Sequence, residues 1–239
     1  MPQPPRPPLK PGECPICQGV GWLSPGVPFG HPDFGKLIAC SCKQPELRRK
    51  HIAKLEELSN LAPFRQKTFA AFDEHVPGVI TAYRVARAFA GCPDGWLCLV
   101  GGYGCGKTHL AAAIANTALE RELPVLFIVV PDLLDQLRDA FAPDCPESVT
   151  QRFTTVRQAP LLILDDLGTE SATAWAREKL YQLVNYRSNE HLPTVFTSNV
   201  RLERLDGRIA SRLHDPDLQA RIITMQATDY RRRTVRSAQ

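Results

Sequence analysis

No apolar run in this chain of 239 residues approaches the roughly 20 that cross a bilayer, which excludes a membrane-spanning helix. The opening Met-Pro-Gln-Pro-Pro-Arg-Pro-Pro lacks the apolar core of an export signal, and a cytoplasmic protein is expected. Internal repeats are absent, and low complexity is confined to that proline-rich start. Charge of one sign does not dominate either. The net charge of +4 is mild and permits a nucleic-acid partner without requiring one, and its densest part is the tail carrying Arg231, Arg232, Arg233 and Arg236. There is also too little chain for two full domains; it fits one α/β domain with a small appendage.

What is present is led by Gly-Gly-Tyr-Gly-Cys-Gly-Lys-Thr at 101–108, a complete G-x-x-x-x-G-K-[ST] phosphate loop. It follows the strand-like run Trp96 to Val100 and precedes the amphipathic helical stretch His109 to Glu122, so backbone N–H groups and a helix N-terminus converge on phosphates. Gly101, Gly104 and Gly106 let the backbone approach, Cys105 is a tolerated loop residue, and His109 completes the ATP-binding candidates. Lys107 reaches the β- and γ-phosphates as a point charge, and the Thr108 hydroxyl takes one position on Mg²⁺.

A second motif is Leu-Leu-Ile-Leu-Asp-Asp at 161–166, a buried strand delivering two acids beside the phosphates. Asp165 is the expected Mg²⁺ partner, and Asp166 the group that orients the attacking water. The strand Pro193 to Asn199 ends in an amide able to hold that water with Asp166, against the alternative that Asn199 is only a cap or turn residue. Apolar runs at 96–100, 125–130, 161–164, 194–197 and 221–225 alternate with helical patterns, which implies a parallel sheet covered on both faces.

Four of the eight cysteines fall early, as Cys14-Pro-Ile-Cys17 and Cys40-Ser-Cys42. Four thiolates close a tetrahedral Zn²⁺ site, which suits a segment too small for its own core. His31 is an alternative ligand for one cysteine, since Cys-x-Cys is the less usual spacing. Cys92, Cys98, Cys105 and Cys145 read as small hydrophobes. The expected organisation is a proline-rich lead and cysteine module at 1–45, a linker helix and connecting segment at 46–75, and an ATPase domain at 76–239.

The two nucleotide motifs, joined to Thr197-Ser-Asn199, Arg208-Ile-Ala-Ser-Arg212-Leu and Asp229-Tyr-Arg231, resemble the AAA+ ATPases of the DnaC/DnaI helicase-loader and IstB group over roughly residues 64–233. The resemblance implies an α/β AAA+ P-loop NTPase with a parallel five-stranded sheet, preceded by a small zinc-binding module. It makes Asn199 sensor 1, Arg212 the arginine finger acting on a neighbouring subunit (with Arg208 as its rival) and Arg231 sensor 2. It puts the segment Phe64 to Phe72 near the adenine. The helices from Asp132 to Arg157 become an insert for single-stranded DNA, with Arg138, Arg152 and Arg157 but no dense basic–aromatic interleaving; Phe141 and Phe153 are expected in the core. The implied function is ATP-dependent loading of the hexameric replicative DNA helicase onto single-stranded DNA, with self-association through the ATP sites. The alternative is an IstB-like ATPase helper of a DNA transposase.

Overall fold

A computed structural model of the chain describes residues 14–140, 146–168 and 173–230. The chain divides into two compact units, 1–51 and 52–239. Of the residues singled out above, Arg231 and the rest of the basic tail, Phe141 and Cys145 lie outside the described residues.

The first unit has a ladder too short to stand alone: β1 (Trp22–Leu23) pairs antiparallel with β2 (Ile38–Ala39). The four early cysteines close around it. Helix α1 (Gln44–Leu58) begins here, with Glu46 in its first turn paired to Lys43 (2.9 Å) and Lys50 (2.8 Å).

The second unit starts with α2 (Ile80–Gly91), β3 (Trp96–Gly101), α3 (Lys107–Glu120), β4 (Val125–Val129), α4 (Val130–Ala140) and α5 (Pro146–Arg157). It continues through β5 (Leu161–Leu167), α6 (Ala174–Asn189), β6 (Thr194–Ser198), α7 (Gly207–Leu213) and β7 (Arg221–Met225). The five strands form one parallel sheet in the order β4-β5-β6-β3-β7. Side chains alternate across it with the strand period of two: Trp96, Cys98, Leu162, Leu164 and Phe196 enter one core, and Leu97, Leu99, Leu161, Ile163 and Val195 the other. Both faces are therefore dry across the central strands, which is why β3, β4 and the start of β5 read as apolar runs, whereas the edge strand β7 buries only Met225.

The helix after the phosphate loop departs from the amphipathic expectation. Leu110 through Asn116 and Ala118 are all buried, because the alanines let α3 pack closely between the sheet and α2. The free edge of β4 is closed by the segment after α1: Asn60 N–H donates to Phe127 O (2.8 Å), Ser59 Oγ takes the Phe127 N–H (3.3 Å), and Asn60 Oδ1 takes the Val129 N–H (3.1 Å). At the opposite end of the strands, Arg187 is fully buried with only neutral partners. Its guanidinium donates to Thr194 Oγ1 (2.8 Å) and to the carbonyls of Arg157 (3.0 Å), Ala159 (2.7 Å) and Pro193 (2.6 Å), tying α5, α6 and β6 together.

Candidate functional site

The loop between β3 and α3 is built on left-handed glycines. Gly106 has φ 99°, and a Cβ there would stand 2.7 Å from the Phe72 ring; Gly104 has φ 70° and lies against the Asp229 carboxylate. Lys107 is buried, and its ammonium donates to the carbonyls of Gly101 (2.9 Å) and Gly102 (2.7 Å). A cavity of about 320 Å³ opens on this loop, and Tyr103 to His109 line it together with Phe64, Lys67, Phe72, Asp166, Asn199 and Tyr230. The phosphate loop, the connecting segment 64–72, the second acid and Asn199 are thus brought to one place.

Adjacent residues of a regular strand face opposite ways, so two neighbouring acids cannot both serve one site without a break in register. That break exists. Leu164 pairs with Phe196 and Leu167 with Ser198, so Asp165 and Asp166 together oppose Thr197 alone, a β-bulge at the strand's carboxyl end. Asp166 takes φ 62°, the left-handed region an aspartate tolerates better than most residues. Thr197, fully buried, stitches the bulge: its hydroxyl donates to Asp165 Oδ1 (2.6 Å) and accepts the Asp166 N–H (3.0 Å). Asn199 Nδ2 donates to Asp166 Oδ1 (2.6 Å).

Burial pushes the Asp165 carboxyl up to about 6, against the lowering effect of the Thr197 hydroxyl; the Thr108 hydroxyl and the Lys107 charge also lower it. Thr108 is thus near enough to act on Asp165, the pair expected to share a divalent cation. His109 Nε2 lies 2.8 Å from Thr68 O and its ring packs edge-on against Phe72 at 5.1 Å. Burial lowers the His109 pKa, and because a carbonyl oxygen can only accept, Nε2 is the nitrogen that donates to Thr68.

Arg212 and Arg208 both lie on α7 and neither lines the cavity. Arg208 is held by Glu178 (3.0 Å) and Asp206 (3.3 Å) and lies over the Tyr181 ring at 4.3 Å. Arg212 is held more loosely, by the neutral Asn185 amide oxygen (2.8 Å) and by Asp215 at 3.8 Å. Phe153 packs against the core beneath Lys179, in line with its core expectation.

In the first unit, Cys14, Cys17, Cys40 and Cys42 place their sulfurs within 4.8 Å of one another. Cys14 and Cys40 are 3.7 Å apart, and Cys17 and Cys42 3.4 Å. Four Zn–S bonds of about 2.3 Å give a tetrahedron with edges of about 3.8 Å, so the set fits zinc. His31 is not part of the cluster; its Nδ1 accepts the Asp33 N–H at 3.2 Å. The backbone N–H groups of Cys17 and Ile16 hold the Cys14 thiol down at about 6, whereas the hydrogen bond with Cys17 pushes Cys42 up to about 12.

Two residues escaped the sequence reading. Thr197 was visible only as part of a phrase, since its role depends on the bulge opposite. Asn116 donates its amide to the carbonyls of Phe64 (3.1 Å), Arg65 (3.3 Å) and Lys67 (3.0 Å), and nothing local in the sequence signals such a reach.

Residues 44–238 match the family model described as IstB-like ATP binding protein. The chain is 32% identical to the replicative helicase loader DnaI of Bacillus subtilis (strain 168) over 136 residues, covering 56% of this chain but only 41% of that protein. It is 27% identical over 182 residues to the replicative helicase loader DnaC of Escherichia coli (strain K12), covering 74% of each. A putative ATP-binding protein in an insertion sequence of Mycobacterium tuberculosis is 29% identical over 176 residues, covering 72% of this chain and 67% of that one. Among solved structures, DnaI superimposes with a TM-score of 0.57 at 28% identity, over 70% of this chain and 92% of the other.

Proposed function

Because the chain belongs to the IstB-like ATP-binding family, we propose that it is an ATP-switched loader that places the hexameric replicative DNA helicase on single-stranded DNA. The observation that carries this reading is the pairing of a cavity lined by the phosphate loop, Asp166 and Asn199 with a separate cysteine-closed unit. That unit exposes Ile16, Val20, Phe29, Phe34, Leu37 and Ile38, apolar side chains suited to docking on a protein. The names of the DnaI and DnaC relatives support the helicase as partner.

In this reading Lys107 and the loop amides bind the β- and γ-phosphates of ATP. Thr108 and Asp165 would hold a Mg²⁺, whose charge offsets that building up on the transferred phosphoryl group. Asp166 orients and polarises the attacking water, and Asn199, bonded to Asp166, fixes the carboxylate's direction and shares the water. Arg212 completes a neighbouring subunit's site: it lies outside its own chain's cavity and would leave only a neutral amide and a long ion pair, whereas Arg208 would have to abandon two carboxylates. Arg231 would act from within its own subunit. ATP thereby couples assembly to hydrolysis. Cys14, Cys17, Cys40 and Cys42 would hold a zinc ion, which supplies the folding energy that the two-residue strands cannot. The protein works in the cytoplasm.

A second reading, an ATPase helper of a DNA transposase, draws on the family description and on the insertion-sequence relative. One experiment separates the two. The full chain with ATP should capture the replicative helicase, and a Phe29→Ser/Phe34→Ser double variant should not. Capture by both would end the docking role of these residues. No capture by the full chain, together with ATP-dependent binding to duplex DNA, would establish the transposase reading instead.

A further inference from the structure

We infer that Asn116 and His109 are positioning residues that determine which nucleobase the pocket accepts, because they fasten its base-side wall to the helix that carries the phosphate loop. The inference rests on the nucleotide-binding reading above. Lys107 opens α3, and His109 and Asn116 follow on it seven residues apart, so both side chains leave the same face of the helix about two turns from each other. Against that face lies the segment 61–79, which beyond a single 3₁₀ turn at Ala62–Phe64 has no regular structure of its own. Isolated turn bonds meet some of its backbone carbonyls, such as Phe64 O from the Lys67 N–H (2.9 Å), and the others need donors from outside the segment.

Asn116 meets that need. Only 6% exposed, it shares its two amide protons among the Phe64, Arg65 and Lys67 carbonyls, and His109 takes the Thr68 carbonyl. The side chains that the segment then turns inward, Phe64, Lys67, Phe72 and Val76, line the cavity. Phe72 is locked further, stacked on Tyr83 at 5.7 Å and in contact with Gly106 of the phosphate loop. One rigid element thus fixes both the cradle for the phosphates and the wall for the base. Releasing the wall leaves the cradle intact, so it alters base fit without altering phosphate affinity.

The test is to measure dissociation constants of Mg²⁺–ATP, Mg²⁺–GTP and inorganic tripolyphosphate for the full chain, Asn116→Ala and His109→Phe. The second variant keeps an aromatic ring against Phe72 and removes the N–H that meets Thr68 O, so it remains informative if Asn116→Ala unfolds. The wild type should prefer ATP to GTP, and each folded variant should lose about tenfold of that preference. Tripolyphosphate affinity should stay within about twofold of the wild type. An unchanged ATP-to-GTP ratio overturns the inference, as does a parallel loss of tripolyphosphate binding, which would mark a merely structural role. A wild type that binds both nucleotides equally also overturns it while leaving the nucleotide site standing. A wild type that binds neither nucleotide nor tripolyphosphate removes the nucleotide reading itself, and the inference with it.

Discussion

Replacing Thr197 by valine keeps the shape of the side chain and removes one hydroxyl, and that hydroxyl makes two bonds at a fully buried position. A hydrogen bond to a carboxylate contributes about 1.5–3 kcal/mol, and a buried N–H left unmet costs about 1–3 kcal/mol, so Thr197→Val should lower stability by about 3 kcal/mol. The pH dependence is the sharper readout. Burial raises Asp165 from 3.8 to about 6 in the folded protein, a difference of about 3 kcal/mol between its charged and neutral forms. A carboxyl with a raised folded pKa binds its proton more tightly folded than unfolded. Metal-free protein therefore gains stability as pH falls from about 6 towards 4 and lacks that gain at neutral pH. Valine removes an interaction that lowers this pKa, so the gain should begin at higher pH. Denaturant unfolding between pH 4.5 and 8 in chelator measures it. In the same variant kcat for ATP should fall about 10- to 100-fold with nucleotide affinity retained, and Thr197→Ser should restore most of it. Unchanged pH dependence and unchanged kcat in Thr197→Val would refute the claim that this hydroxyl holds the two acids.

Lys107→Ala should abolish detectable ATP binding by calorimetry, since the β- and γ-phosphates lose their buried counter-charge; wild-type affinity would remove the phosphate-loop assignment. Arg212→Ala should leave ATP binding by a monomer nearly intact while depressing ATP-dependent assembly and turnover, and unchanged turnover would take Arg212 out of the finger role. The purified chain should carry about one zinc per polypeptide, lost in Cys14→Ser/Cys17→Ser; a metal-free first unit that still folds defeats the zinc proposal. Arg187→Ala should cost about 3–5 kcal/mol in urea unfolding, because three carbonyls and the Thr194 hydroxyl lose a buried cation at once. Arg187→Lys should recover less than half, as a single ammonium cannot reach four acceptors spread over α5 and β6.

The sheet was legible in the sequence because its central strands are buried on both faces and strongly apolar, and the runs at 96–100, 125–130, 161–164, 194–197 and 221–225 match β3 to β7 within a few residues. The phosphate loop was legible because its chemistry is backbone chemistry, written in glycines at fixed offsets. What stayed hidden shares one cause, a partner far along the chain. Asn116 reads as one more residue of an alanine-rich helix until the segment at 64–67 lies against it, and Thr197 as a strand residue until the bulge opposite gives it two groups to join. The same distinction explains the acid pair. Two adjacent aspartates at a strand end are an incomplete signal, since a regular strand turns one away; the extra residue in β5 and the left-handed backbone of Asp166 let Asp166 line the cavity while the buried Asp165 bonds to Thr197. That geometry depends on a neighbouring strand supplying a hydroxyl at one register position. The placement of the two acids is therefore a property of β5 and β6 together, and a substitution in β6 can displace the acids of β5 without touching either of them.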